Sequence, residues 1–79
     1  MNIKILGSGC ANCKKLQIIT EEAIKELGTN ASVEKVEDMG KIMSYGIMKT
    51  PAIVINEKVK AYGRIPKKEE IKKFIQEEA

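Results

Sequence analysis

The sequence predicts an α/β fold with the element order β-α-β-α-β-β-α, a four-stranded mixed sheet flanked by three helices. Three observations predict it. Apolar residues change along the chain from short strand-like runs to three- and four-residue spacing and back; glycines punctuate those changes; and a proline stands at the entrance of the most apolar run, where no ladder N–H is required. The 79 residues fit one domain covering 1-79, with no internal repeat, low-complexity stretch or linker to divide it.

Residues 2 to 6, Asn-Ile-Lys-Ile-Leu, read as a short strand that Gly7-Ser8-Gly9 ends in a tight loop. From about Ala11 to Leu27 the residues Leu16, Ile19, Ala23, Ile24 and Leu27 recur at helical spacing, and Gly28 ends that amphipathic helix. Val33 to Val36 reads as a second strand, with imperfect alternation. Asp38 is placed to cap a short helix bearing Met39, Ile42 and Met43, with Gly46 at its end. Ala52 to Ile55 is a compact apolar strand, and Asn56-Glu57-Lys58 turns it into Val59 to Tyr62, an antiparallel hairpin closed by Gly63. Pro66 suits the first turn of a last helix, in which Ile71, Phe74 and Ile75 form the apolar stripe and Glu69 precedes Lys73 by four. The opening strand, helix and strand make a right-handed parallel unit, which the hairpin extends to four strands.

Composition narrows the function. Apolar residues are 43% and charged residues 32% of the chain, and the net charge of +3 comes from intermixed Lys and Glu, which favours solubility over a basic footprint. Tyr45, Tyr62 and Phe74 are the whole aromatic complement, so base stacking lacks its equipment and no nucleic-acid partner is expected. No run approaches the roughly 20 apolar residues of a membrane helix. The start of the chain lacks the pattern of a secretory leader, and a cytoplasmic monomer without a cofactor or metal is expected.

Both cysteines belong to one Cys10-Ala11-Asn12-Cys13 motif. A pair this close closes too small a loop to staple a domain, so redox or metal chemistry is the stronger reading. Where loop becomes helix, unpaired backbone N–H groups and the positive end of the helix dipole face Cys10 and lower its thiol pKa. Cys13, three positions on, shares that helical face and can displace whatever Cys10 has captured. Lys14 and Lys15 add positive charge in the next turn, although lysines on a helix surface are usually solvated. Ala11 and Asn12 offer no acid or base.

The second signal is Thr50-Pro51, immediately before the strand Ala52 to Ile55. A trans proline starting a strand would be unremarked in isolation. Beside the cysteine motif a cis bond is expected, which would turn the Thr50 backbone outward and offer its peptide groups to an extended substrate.

Ile3-Lys4-Ile5-Leu6-Gly7-Ser8-Gly9-Cys10-Ala11-Asn12-Cys13, Tyr45-Gly46-Ile47 and Thr50-Pro51-Ala52-Ile53-Val54-Ile55-Asn56 together resemble the thioredoxin superfamily. The resemblance spans almost the whole chain and is strongest to its small archaeal and bacterial redox-active disulfide proteins, sometimes described as glutaredoxin-like. It implies a minimal thioredoxin fold, Cys10 as nucleophile, Cys13 as resolving thiol and Pro51 as the cis-proline facing them, with Thr50 and Pro51 binding substrate. It also implies protein disulfides as substrates and a thioredoxin-reductase-like flavoprotein as electron donor. The chain departs from ordinary thioredoxin in carrying Ala11-Asn12 for Gly-Pro, no tryptophan before Cys10, and Lys4 but no carboxylate in the first strand. Gly63-Arg64 stands where glutaredoxins carry a Gly-Gly pair that helps seat glutathione.

Two rival readings follow from the same motif. Small ferredoxin-like Cu(I) carriers also place Cys-X-X-Cys between the first strand and helix, but with βαββαβ order and a methionine where this chain has Ser8. Alternatively the cysteines sense oxidants without turning over a substrate.

Overall fold

The computed structural model describes residues 1–7 and 11–78; Ser8, Gly9, Cys10 and Ala79 lie outside the described residues. The elements are β1 (Asn2–Leu6), α1 (Ala11–Leu27), β2 (Ser32–Val36), α2 (Met39–Ser44), β3 (Ala52–Ile55), β4 (Lys58–Tyr62) and α3 (Lys68–Glu77). This is the expected order, and it differs from that of the ferredoxin-like carriers. The strands lie in the order β2-β1-β3-β4, with β1 parallel to β2 and antiparallel to β3, and β3 antiparallel to β4.

Side chains alternate across a strand, so β1 supplies two different cores. Ile3 and Ile5 point with Ile53 and Ile55 toward α1 and α3, where Leu16, Ala23, Ile71 and Ile75 meet them. Leu6 points with Ala52 and Val54 to the opposite face, which Ile42 of α2 and Ile47 cover. All four residues of β3 are fully buried because it is central and covered on both faces, which explains its uninterrupted apolar sequence. Thr20 is a polar exception inside the first core: its hydroxyl donates to the Leu16 carbonyl at 2.7 Å, closing on its own helix the bond that burial would otherwise deny it.

Helix boundaries have local causes. Asp38 caps α2 by accepting from the Lys41 N–H at 3.1 Å, as its position implies. Gly28 follows α1 with φ 64°, and the Gly28 and Thr29 N–H groups return to the carbonyls of Lys25 and Ile24 at 3.2 and 3.3 Å. The start of α3 departs from expectation. Pro66 is not in its first turn: the helix begins at Lys68 with Lys67 as its N-cap, and Pro66 is instead fully buried. An apolar ring gains more by entering the core than by sitting at an exposed helix start. Glu69 also reaches Lys72 at 3.7 Å, three residues on, in place of Lys73.

Turn and bulge shape the hairpin. Asn56 and Glu57 both take left-handed conformations, with φ 50° and 68°, the twist a two-residue hairpin loop requires. Val54 pairs with Val59 and Ile53 with Ala61, so the ladder skips Lys60. Lys60 leaves this bulge to meet Glu77 at 3.3 Å and Glu78 at 2.8 Å, fastening β4 to the end of α3. Glu26 similarly bridges α1 to α3 through Lys68 and Lys72. No helix among the described residues is long and apolar enough to cross a membrane.

The Glu26 bridge makes stability depend on pH in a definite direction. Hydrogen bonds from Lys68 and then Lys72 lower the Glu26 pKa from 4.5 to about 2. The unfolded chain therefore binds more protons across that window, and the stabilisation present above pH 4.5 disappears as pH falls toward 2. Glu26→Gln should flatten this part of a denaturation-midpoint-against-pH curve, and added salt should reduce the difference because the group is exposed. An unaltered slope in the variant would remove Glu26 as its source.

Candidate active site

Helix α1 begins at Ala11, the residue after Cys10 in the chain, and Ala11 and Asn12 are exposed. The expectations for Cys10 itself lie outside the described residues. Cys13, in the first turn of α1, is fully buried and disulfide-bonded. Lys14 and Lys15 are exposed, in keeping with ordinary solvated lysines.

The Cys13 sulfur lies close against the backbone of Gly7, just beyond β1. A Cβ placed on Gly7 would overlap Cys13 Sγ, approach Cys13 Cβ to 3.3 Å and touch Thr50 Cβ at 3.6 Å. Three segments thus converge on one point: the end of β1, the first turn of α1 and, more than thirty residues further along the chain, the entrance to β3. The Gly7 N–H donates to the Val36 carbonyl at 2.9 Å, which fixes that backbone to the end of β2. Only a residue without a side chain leaves room for the sulfur here.

The Thr50-Pro51 peptide bond is cis, as expected. Pro51 is buried while Thr50 is exposed, and the Pro51 carbonyl accepts from the Gly63 N–H at 3.0 Å. The Thr50 backbone has no main-chain partner among the described residues. Cys13 and Thr50 are therefore brought together, with Pro51 next in the chain. Among the described residues no group of three or more His, Cys, Asp or Glu side chains is arranged to hold a metal ion.

A second polar cluster sits on the α2 face of the sheet. Lys4 Nζ donates to Glu57 Oε1 at 2.7 Å and to the Tyr45 hydroxyl at 3.0 Å, and that hydroxyl donates to Glu57 Oε2 at 3.0 Å. The Glu57 carboxylate, and secondarily the Tyr45 hydroxyl, push the Lys4 pKa up, while Lys4 and Tyr45 hold that of Glu57 below its ordinary value. A lysine between Ile3 and Ile5 was the sequence signal for this cluster, but its partners are 41 and 53 residues away. The role of Gly7 had no such signal, since a glycine after a strand reads equally well as a simple loop.

A thioredoxin domain model matches residues 1–76. A thioredoxin of Methanothermobacter thermautotrophicus is 43% identical over 75 residues, covering 95% of this chain and 97% of its own length. A thioredoxin of Methanocaldococcus jannaschii is 34% identical over 73 residues, covering 92% of this chain and 84% of its own. Among solved structures, the germline-specific thioredoxin Deadhead of Drosophila melanogaster superposes with a TM-score of 0.65 at 11% identity, over 99% of this chain and 80% of that one, a likeness of fold.

If the Gly7 backbone is what accommodates the sulfur, Gly7→Ala should destabilise the oxidised protein by about 1–3 kcal/mol, the usual cost of forcing extra volume into a packed site. Urea unfolding of the oxidised variant measures this. A midpoint equal to that of the unsubstituted protein would show that the sulfur can move aside freely.

Proposed function

The chain belongs to the thioredoxin family, whose members are thiol–disulfide oxidoreductases, and from that premise we propose that it reduces protein disulfides through Cys10 and Cys13. In this reading residues 1–79 act as one domain in the cytoplasm. The observation that carries it is the buried, disulfide-bonded Cys13 sulfur lodged against Gly7 beside Thr50. A thiol in that position is shielded from bulk solvent and from stray oxidants. It is suited to resolve an adduct formed by a neighbouring sulfur.

The sequence contains one other cysteine, Cys10, immediately before α1. Its thiolate attacks one sulfur of a substrate disulfide, forming a Cys10–substrate bond and releasing the other substrate sulfur as a thiolate that takes up a proton. Cys13, having lost its proton, then attacks the Cys10 sulfur. The mixed disulfide breaks, the second substrate sulfur leaves as a thiol, and the Cys10–Cys13 disulfide remains. Two electrons have passed to the substrate. By family resemblance, a thioredoxin-reductase-like flavoprotein restores the dithiol.

Thr50 orients the substrate in this scheme. Thr50 is exposed, and its backbone, without a main-chain partner among the described residues, is available to pair with an extended segment laid across the turn. Pro51 anchors that turn from inside, since its ring is buried and its carbonyl is bonded to Gly63. Ala11 and Asn12 contribute no titratable group, so the backbone at the start of α1 is left to stabilise the Cys10 thiolate.

Trapping tests the order of events. Cys13→Ala should accumulate discrete mixed disulfides through Cys10, resolved by non-reducing electrophoresis and mass spectrometry, whereas Cys10→Ala should accumulate none. Adducts formed equally by both variants would reverse the assigned roles. Absence of any discrete adduct would favour an oxidant sensor.

A further inference from the structure

Three of the four methionines carry their thioethers to one opening. Met39 and Met43 are four apart on α2 and so share one helical face, where both are exposed. Gly46, with φ 78°, turns the chain back after α2, and its N–H donates to the Met43 carbonyl at 2.9 Å. Beyond that turn Ile47 is buried and Met48, the next residue, is 92% exposed. All three methionines line a cavity of about 150 Å³ together with Ile42, Ile47 and Thr50. The side chains around it offer three sulfurs and one hydroxyl, with no carboxylate, imidazole or thiol.

We propose that these three thioethers bind a soft monovalent cation of the Cu(I) type, without help from the cysteines. The inference does not rest on the disulfide reduction assigned above. Donor chemistry selects the class of ion: thioethers are soft, neutral ligands suited to Cu(I) and its heavier congener Ag(I), whereas magnesium, calcium and zinc call for oxygen, nitrogen or thiolate donors that this lining lacks. Charge points the same way. Asp38, Lys41 and Lys49 are the charged residues nearest to the methionines in the chain, and their positive sum opposes a divalent ion more strongly than a monovalent one. Residues four apart on a helix hold their Cβ atoms about 5–6 Å from each other. Unbranched stems with three rotatable bonds then let the sulfurs close on one ion while the buried Ile42 and Ile47 stay in place. The cavity has the volume of several waters at roughly 30 Å³ each, enough for an ion and the ends of its ligands. What distinguishes this opening is sulfur: all three exposed apolar side chains in its lining are methionine, although leucine would serve packing as well.

Titration of the oxidised protein with Ag(I) in chloride-free buffer, followed by NMR of isotope-labelled methionine methyl groups, tests this. The Met39, Met43 and Met48 signals should move together and reach their end points at one equivalent, while Met1, packed against the first core, stays unmoved. Met48→Leu keeps the apolar volume and should weaken binding by at least about tenfold, since even an outer-shell partner is worth that much to a metal site. Met39→Leu/Met43→Leu/Met48→Leu should abolish it, with circular dichroism checking the fold. Cys10→Ser/Cys13→Ser, which has no thiol, should bind Ag(I) as the oxidised protein does and take up Cu(I) from a competing chelator under anaerobic conditions. Undiminished affinity in the triple leucine variant, or movement of Met1 in step with the other methionines, overturns the proposal by showing that silver meets thioethers indiscriminately. Uptake confined to the reduced protein overturns it too, because the metal then belongs to the cysteine pair.

Discussion

The close approach of the Cys13 sulfur to the Gly7 backbone is the constraint on which the site depends. It fixes the depth at which the first turn of α1 sits over the end of β1, and Thr50 closes in on the same point from the entrance of β3. Because β1 and β3 are the two central strands, both sides of this junction are built on the least yielding part of the molecule. A sulfur held there has little freedom to wander. The same hydrogen bond that secures Gly7 to Val36 brings the parallel edge of the sheet into the arrangement.

Charged side chains secure what the small core leaves open. Glu57 occupies a left-handed turn position unfavourable for a residue with a side chain, and its carboxylate is gripped by Lys4 and the Tyr45 hydroxyl. One cluster thus joins the hairpin turn, β1 and the end of α2. Asn56 adds a neighbouring tie, donating its N–H to the Asn2 carbonyl and accepting from the Asn2 N–H at its side-chain oxygen. Lys60 and Glu26 make comparable links from β4 and α1 to α3. Isolated surface pairs contribute little to stability. Their placement between elements rather than within one gives them a positional role: each limits the sliding of one element over the other.

Legibility followed the range of the interaction. The strand Ala52 to Ile55, the long α1 stripe and the Asp38 cap were readable because their causes lie within a few residues of one another. Pro66 was misplaced because its local preference for a helix start competes with a long-range gain from burial, and only the folded chain decides between them. The cis bond at Thr50-Pro51 was legible from the combination of the cysteine motif with a proline at a strand entrance. Gly7 was not, because what forbids a side chain there is a sulfur six positions later in sequence, whose approach to this backbone no local pattern specifies. The sequence places Met39, Ile42 and Met43 on α2 without ranking them, and in the fold Ile42 alone is buried while Met39 and Met43 are exposed.

That outward face shows how so short a chain divides rigid from adaptable parts. Helix α2 has six residues, one of them buried, and is held by the Asp38 cap and the Tyr45 contact with Lys4 and Glu57. It is too short to contribute much core, and it leaves the flexible thioethers of Met39 and Met43 exposed. Rigidity at the sulfur comes from the two central strands, whereas α2 is tied on by polar contacts at its two ends and by one buried side chain between them.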